Sequence, residues 1–418
     1  MDVSHNVRAR GAGQGISMTS SQLELTGKRV LVTGGTGFIG GRLIERLVLE
    51  CHASVRVLVH TFDHAYRIAR FPIELVRGDI TKLEDVEQAI DECEMVFHCA
   101  YGNAGDNEKR RLVNVEGTKN VLEAALHARA KRVVHLSTMA VYGWGTPDGN
   151  LDETTPRRYS GNAYSDSKLD AEQLALRYAK EHGLPVAVLQ PTVVYGPFSL
   201  PWTVNVLRQL QTGRVILVNG GDGLCNTVYV DDVVSAILRA AVTDQAAGEA
   251  FLISGAEPIT WQEFYSGFER ILGLSRTVNM SVAEAHAYYI KKQHEAKAVK
   301  GLLQEAFSIL REESDTRARL LTTRELATVM RVGRFVVPQY LRHWLKTSIM
   351  GHGSTAQPQT AVQQEPPIHP LDPLMVQFYA SKTPVCIDKA KSILGYQPVF
   401  DFKRGLDLTE QWIKWSNL

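Results

Sequence analysis

Short apolar runs alternate with amphipathic segments over the first half of the chain. Each run has the length of a buried strand, and the runs lie near residues 29–33, 54–59, 73–76, 94–98, 132–137 and 185–190. Helical patterns occupy the intervals between them. Strands and helices that alternate in this way are joined by right-handed crossovers, which give a parallel sheet covered by helices on both faces. The pattern therefore predicts an α/β fold with a doubly wound parallel sheet.

The first of these strands leads directly into a glycine-rich turn. The turn has the sequence TGGTGFIG at 33–40 and opens a predicted helix over 41–49. Gly34 permits the tight turn, Gly37 lets the backbone approach a pyrophosphate, and Gly40 allows the helix to pack closely on the strand. The free N–H groups at the helix start favour phosphate. The sequence thus predicts a Rossmann-type site for NAD or NADP.

A tyrosine and a lysine four residues apart follow farther along the chain. Tyr164 and Lys168 lie on one face of a predicted helix, so they are neighbours. Because a nearby cation favours the phenolate, we expect Lys168 to lower the pKa of Tyr164 and make it a general acid/base for a secondary alcohol or ketone. The strand near 132–137 ends in two hydroxyls, Ser137 and Thr138, and a hydroxyl there can orient the substrate oxygen against Tyr164.

Taken in order, these motifs resemble those of the extended short-chain dehydrogenase/reductase family, in its epimerase/dehydratase-like branch. The further matching segments are Gly78-Asp79-Ile80, His98-Cys99-Ala100, NVEGT at 114–118, STMAVYG at 137–143, YSDSK at 164–168, PTVVYGP at 191–197, VDDV at 230–233 and LGYQP at 394–398. The resemblance covers about residues 27–275 and 380–415. It implies a Rossmann-type fold with a smaller C-terminal substrate lobe.

The resemblance also assigns roles to individual residues. In the family pattern the catalytic hydroxyl lies four residues before the tyrosine of the VYG motif, which makes it Thr138. Asp79 is expected to bond the adenine amine, and Asn114 to support the catalytic set Thr138, Tyr164 and Lys168, although a loop cap and a helix start are simpler roles for Asp79 and Asn114. The predicted cofactor contacts are Gly34, Gly37, Phe38, Ile39, Gly40, His60, Asp79, Ile80, Cys99, Ala100, Tyr164, Lys168 and Pro191.

The choice between NAD and NADP depends on the end of the second strand. An acidic residue there would accept the adenosine ribose hydroxyls of NAD. The chain instead has His60, followed by Asp63, Arg67 and Arg70. An arginine that folds back can accept a 2′-phosphate. The sequence slightly favours NADP and does not decide the question.

Two positions bear on the substrate. Sugar-nucleotide members of the family often carry an asparagine at the position of Val193 and a diphosphate-binding arginine at that of Cys225, so one bidentate phosphate contact is missing here. We expect hydride transfer, with or without epimerisation, at a carbon of a nucleotide- or lipid-linked sugar. The alternatives are an apolar, steroid-like ketone, as in 3β-hydroxysteroid dehydrogenase-like members, and a non-catalytic NADP-binding regulator. Met139 and Ala140 replace the Asp-Glu pair of a typical 4,6-dehydratase.

Length and composition bear on the number of domains, the binding partners and the compartment of the protein. A chain of 418 residues suits a large domain with a smaller one appended, and a formal net charge of +1 gives no electrostatic case for nucleic-acid binding. The five cysteines form no CxxC pair, which favours a reducing compartment and predicts no metal site. No apolar run reaches membrane-spanning length, and no signal-peptide core is present. We expect a cytoplasmic homodimer that acts on a small molecule.

The sequence also divides the chain into regions. Residues 1–25 are expected to be a disordered leader, 26–197 the dinucleotide-binding domain to which 225–255 partly returns, and 198–275 with 376–418 the substrate lobe. Residues 276–375 are a helical insertion with a Gln/Pro-rich linker. Within it, the basic amphipathic segment 324–350 is suited either to an anionic membrane surface or to a lid or subunit contact.

Overall fold

A computed structural model describes residues 24–102, 106–144, 149–312 and 365–416. The strands are β1 (Arg29–Thr33), β2 (Ser54–Val59), β3 (Glu74–Arg77), β4 (Met95–His98), β5 (Arg132–Leu136), β6 (Val186–Pro191), β7 (Val193–Tyr195), β8 (Arg214–Val218), β9 (Leu224–Cys225), β10 (Thr227–Tyr229), β11 (Ala250–Ile253), β12 (Ile259–Thr260), β13 (Thr277–Met280) and β14 (Ile368–His369). The helices are α1 (Phe38–Leu49), α2 (Leu83–Ile90), α3 (Asn107–Arg111), α4 (Gly117–His127), α5 (Ala163–His182), α6 (Asn205–Thr212), α7 (Val230–Val242), α8 (Trp261–Leu272), α9 (Val282–Glu312), α10 (Pro373–Ala380), α11 (Asp388–Leu394) and α12 (Phe402–Ser416).

Seven parallel strands form the central sheet, in the order β3-β2-β1-β4-β5-β6-β11. The first six are the strands that the apolar runs predict, within one or two residues at each end. The strand order reverses between β1 and β4, and this point is where ligands of doubly wound sheets bind, beyond the carboxyl ends of the strands. The predicted Rossmann-type fold is confirmed.

Helices cover both faces of this sheet. Along β1, Val30 and Val32 join one apolar cluster with residues of α1 and α7, while Leu31 joins a second cluster with residues of α2 and α4. This alternation follows from the two-residue period of a strand. Because both faces are buried, the strands are almost continuously apolar, as expected for a parallel sheet.

A second core belongs to the substrate lobe. There β8 pairs with both β13 and β14, and α6, α8 and α10 pack around this small sheet. Helix α8 begins with a capping box between Thr260 and Glu263 and ends at Gly273, which has a φ of 64°. Its buried face carries Trp261, Phe264 and Phe268. These rings add an aromatic cluster to an otherwise mostly aliphatic interior.

The C-terminal region returns to the central domain before it ends. The carboxylate of Asp232, in the first turn of α7, accepts hydrogen bonds from the backbone N–H groups of Val399 at 2.9 Å and Phe400 at 3.1 Å. The Tyr396 hydroxyl donates to the Ser254 carbonyl at 2.8 Å, just beyond β11. Residues 388–400 are therefore attached to the Rossmann domain although they follow the substrate lobe in the chain.

Several of the predicted regions can be placed only in part. Leu25, at the end of the predicted leader, is fully buried in the central core, whereas residues 1–23 lie outside the described residues. Within the predicted insertion, strand β13 precedes the helix Val282–Glu312, and the end of the predicted linker forms β14. The basic segment 324–350 lies outside the described residues. Among the helices that the structure does describe, none has the length and apolar character needed to cross a membrane.

Candidate active site

A cavity of about 800 Å³ lies at the carboxyl ends of β1, β4, β5 and β6 and extends to residues of the substrate lobe. Of the predicted site residues, Gly34, Gly37, Phe38, Ile39, Gly40, Cys99, Ala100, Thr138, Tyr164, Lys168 and Pro191 contribute to its walls. His60, Asp79, Ile80 and Asn114 do not. The structure thus brings together residues from five separate motifs in one cleft.

The glycine-rich turn is shaped to let two backbone segments meet. Gly34 has a φ of 71°, and a Cβ atom there would lie 2.5 Å from the backbone nitrogen of Ala100, at the end of β4. A Cβ at Gly40 would lie 2.3 Å from the Gly34 carbonyl oxygen. Helix α1 then begins at Phe38 with no acidic residue in its first turn and no side-chain cap. The N–H groups at this helix start therefore fit the phosphates of a dinucleotide.

Tyr164 lies in the first turn of α5, beside the end of β5. Helix α5 starts after Asn162, whose side-chain oxygen accepts hydrogen bonds from the N–H groups of Tyr164 at 3.0 Å and Ser165 at 3.2 Å. The Thr138 side chain lies close enough to the Tyr164 phenol to favour its ionised form. Thr138 also accepts a bond from the Ala140 N–H at 3.2 Å, which fixes its oxygen. Two hydroxyls therefore meet at the wall of the cavity.

Lys168 lies one turn farther along the same helix and is only 4% exposed. Its ammonium group donates to the Leu136 carbonyl, the last residue of β5, at 2.6 Å. Burial lowers the pKa of Lys168 to about 8, and the nearby carboxylate of Glu172 opposes that shift. The lysine thus titrates close to physiological pH.

The expected lowering of the tyrosine pKa is wrong for this arrangement. Although Tyr164 as a residue is 38% exposed, burial at its hydroxyl end raises the pKa to about 12, and the nearby Thr138 hydroxyl offsets only part of that rise. Desolvation of the phenolate is the largest contribution to this pKa, and attraction to Lys168 does not contribute. Tyr164 is protonated at neutral pH, the form in which it can donate to a ketone oxygen.

Asn114 lies behind the cavity, where it joins two of its walls. It belongs to a single π-helical turn, Leu112–Glu116, and is 2% exposed. Its side-chain oxygen accepts from the Gly102 N–H at 2.7 Å, and its amide nitrogen donates to the Ser167 hydroxyl at 2.9 Å. Asn114 therefore ties the loop after β4 to α5 next to Lys168.

The remaining predicted cofactor contacts lie away from the cavity walls. The Asp79 carboxylate accepts from the N–H and hydroxyl of Thr81 at 2.9 and 2.8 Å, which is the loop-cap role. The Ile80 carbonyl accepts from the Asn120 amide at 3.0 Å. His60 is exposed at the end of β2.

The two arginines that follow His60 both make contacts within the protein. The Arg67 guanidinium lies 4.1 Å from the centre of the Phe198 ring and donates to the Phe38 carbonyl at 3.4 Å. Arg70 stacks on Phe71 at 4.8 Å. Arg67 therefore links the start of α1 to the substrate-side loop that carries Phe198.

The substrate side of the cavity is mostly aromatic and aliphatic, and the sequence did not predict its composition. The rings of Trp144 and Phe378 pack edge to face with centroids 5.0 Å apart, and Trp202 lies 6.2 Å from Phe378. The other apolar residues in this wall are Met139, Val193, Phe198, Leu200 and Pro201. Cys225 is fully buried and packs in the aromatic core of the lobe. Its position therefore offers no cation to a substrate.

Comparison with known proteins agrees with this geometry. A sequence model of the NAD dependent epimerase/dehydratase family matches residues 30–254, more than half of the chain. The chain belongs to this family. The resemblance noted in the sequence is confirmed, and the chain is an oxidoreductase of the NAD-dependent epimerase/dehydratase family.

Similar proteins differ in the substrates that their names give. The chain is 32% identical over 242 residues to 4-hydroxy-2-methyl-3-oxo-4-farnesyl-3,4-dihydroquinoline-1-oxide ketoreductase from Stigmatella aurantiaca, covering 56% of this chain and 71% of that protein. It is 25% identical over 402 residues to a decarboxylating sterol-4-alpha-carboxylate 3-dehydrogenase from Candida albicans, covering 92% and 97%. The UDP-glucose 4-epimerase structure from Thermotoga maritima superposes with a TM-score of 0.63 at 20% identity, covering 93% and 100%. That structure supports the fold alone.

Proposed function

We propose that this chain transfers hydride between NAD(P) and a secondary-alcohol or ketone carbon of an apolar substrate, such as a steroid-like ring system or an alkyl ketone. The observation that carries the proposal is the apolar wall formed by Trp144, Trp202 and Phe378 in the same cavity as Thr138 and Tyr164. Walls of this kind bury apolar ligands, while a few polar groups fix the reacting end.

The chemistry at the reacting end follows from the two hydroxyls. The nicotinamide, when bound, supplies or accepts the hydride. A substrate oxygen held by Thr138 and Tyr164 receives a proton from the Tyr164 hydroxyl during reduction and returns it during oxidation. The Lys168 ammonium group, one turn away, is suited to bond the nicotinamide ribose and to stabilise negative charge on the phenol oxygen as the proton leaves.

Two further observations favour an apolar substrate over a sugar nucleotide. Val193 and the buried Cys225 occupy the positions where sugar-nucleotide members often carry an asparagine and a diphosphate-binding arginine. The relatives named above include a ketoreductase of a farnesylated quinoline and a sterol dehydrogenase. Both names describe oxygen chemistry on a largely hydrocarbon skeleton.

For the cofactor we propose a slight preference for NADP. The end of β2 carries His60, which cannot accept hydrogen bonds from ribose hydroxyls as a carboxylate does and does not repel a 2′-phosphate.

The test is a substrate panel with NADH and NADPH in both reaction directions, containing 3β-hydroxysteroids, 2-alkyl-3-oxo acids, a short-chain ketone and UDP-glucose. We expect turnover of one of the first two classes. The variant Phe378→Ala should then raise KM for that substrate at least about tenfold, since it removes most of a buried ring, and leave KM for the short ketone unchanged. Trp415→Ala is the control, because Trp415 is 83% exposed and outside the cavity. Preferred turnover of UDP-glucose would replace this proposal with a sugar-nucleotide function.

A further inference from the structure

Glu172 is a buried carboxylate one helical turn beyond Lys168, and its relative exposure is 0%. The Ser137 hydroxyl donates to it at 2.5 Å and the Gln190 amide at 2.8 Å. The guanidinium of Arg157 forms an ion pair with the same carboxylate. Arg157 thereby supplies the counter-charge that a buried carboxylate needs.

These hydrogen bonds reach the ends of two strands that line the cavity. Ser137 directly precedes Thr138 after β5, and Gln190 directly precedes Pro191 in β6. The Gln190 side chain also accepts a bond from the Tyr142 hydroxyl at 2.8 Å. A single carboxylate therefore holds α5, which carries Tyr164, against the strand end that carries Thr138.

Glu172 also sets the charge environment of Lys168. The titratable groups that face the Lys168 ammonium from the neighbouring strands are His98 and His135, together with Cys99 in the loop after β4. Burial lowers the pKa of His98 to about 3 and that of His135 well below its ordinary value, and it raises the pKa of the Cys99 thiol to about 12. All three are uncharged at neutral pH, so Glu172 is the charged member of this group.

We propose that Glu172 is a positioning residue that aligns Thr138 with Tyr164 and keeps Lys168 protonated at neutral pH. Its hydrogen bonds fix the strand ends, and its negative charge opposes the loss of the lysine proton that burial promotes. The role does not depend on which substrate the enzyme uses, because it concerns groups that the chain itself provides.

The test measures the pH dependence of cofactor affinity by fluorescence titration of NADH and NADPH between about pH 6 and 9.5. In the wild-type protein we expect affinity to fall as pH rises, with a midpoint near pH 8, the pKa of Lys168. In Glu172→Gln the midpoint should fall by about one pH unit, because a nearby negative charge is lost. The matched control is Asp170→Asn, which removes a carboxylate from the same helix. The Asp170 carboxylate contacts Arg111 and Tyr159 at the surface. Its midpoint should not move.

A second variant keeps the proposal testable if Glu172→Gln does not fold. Arg157→Gln removes the counter-charge and leaves the carboxylate, so the midpoint should rise above that of the wild-type protein. A folded Glu172→Gln with an unchanged midpoint would overturn the proposal, and so would a downward or absent shift in Arg157→Gln. Loss of helical signal on heating reports which variants fold. None of these outcomes bears on the proposed substrate class, since no substrate is present.

Discussion

The Thr138 side chain lies beside the Tyr164 phenol and opposes the rise in its pKa, although Thr138 follows a strand and Tyr164 begins a helix on the far side of a loop. This pair distinguishes between the two hydroxyls at the end of β5. The Ser137 hydroxyl donates to the buried Glu172 carboxylate, whereas Thr138 lies at the cavity wall with the Tyr164 phenol. The catalytic role of Thr138, which the family pattern implies, stays a prediction.

Tyr164→Phe should leave cofactor binding nearly intact and lower turnover by at least about 100-fold, the usual scale for a positioned acid/base. The phenylalanine keeps the ring and loses only the hydroxyl. Cofactor titration beside steady-state rates measures both quantities. Tyr159→Phe is the matched control, because its hydroxyl bonds Asp170 in a largely exposed setting. Near-normal turnover in Tyr164→Phe would remove this residue from the mechanism.

Gly34→Ala should weaken NADH and NADPH binding at least about tenfold and lower the melting temperature. Its Cβ would meet the backbone of Ala100 at 2.5 Å, and its φ of 71° adds strain. Gly27→Ala separates these two causes, because Gly27 has a φ of 73° and no atom within 4 Å of the added Cβ. The control should cost about 1 kcal/mol of stability and leave cofactor affinity unchanged. Equal loss of affinity in both variants would count against a clash at the cofactor turn.

His60→Asp should shift the cofactor preference toward NADH, because a carboxylate accepts ribose hydroxyls and repels a 2′-phosphate. The quantity to measure is the ratio of dissociation constants for NADPH and NADH. His60→Gln is the control, since it is polar and uncharged and should leave the ratio close to that of the wild-type protein. Wild-type protein that binds NADH more than about tenfold tighter, or 1.4 kcal/mol, would contradict the proposed NADP preference.

Asp232→Asn should be better tolerated at pH 8 than at pH 5. Burial raises the pKa of Asp232 to about 6, although the Val399 and Phe400 N–H groups act in the opposite direction. A carboxyl group whose pKa is higher in the folded state contributes stability that is complete below the unfolded pKa, near 4, and is lost as pH rises through about 6. The variant lacks this term, so its deficit in unfolding free energy should shrink by about 1.4 kcal/mol between pH 5 and pH 8, the value of the one pKa unit between 5 and 6. Urea unfolding at both pH values measures it, and a pH-independent difference would show that Asp232 does not titrate in this range.

Much of the fold and of the reacting end could be predicted because both depend on local patterns. Each strand of β1 to β6 is a short apolar run, and the turn around Gly34 and the spacing of Tyr164 and Lys168 carry their own geometry. The position of Glu172 near Lys168 could also have been predicted, since it lies four residues later and so on the same helical face. It went unnoticed because a glutamate on a helix is most often a solvated residue.

The residues that line the substrate side of the cavity could not be predicted from local patterns. Trp144, Trp202 and Phe378 belong to segments that are distant in sequence, and only the tertiary fold brings their rings together. The predicted direction of the Tyr164 pKa shift was wrong for a related reason. Residue spacing reveals a neighbouring cation, whereas the degree of desolvation depends on everything packed around the phenol.

The pairing of β8 with both β13 and β14 has a consequence for how this chain can change over evolutionary time. The described chain stops at Glu312, the end of α9, and resumes at residue 365, just before β14, and both elements belong to the substrate lobe. Helix α9 and strand β14 are separate from β5 and α5, the elements that position Thr138 and Lys168. Relatives can therefore acquire, lose or replace the segment between α9 and β14 while inheriting the hydride-transfer apparatus unaltered.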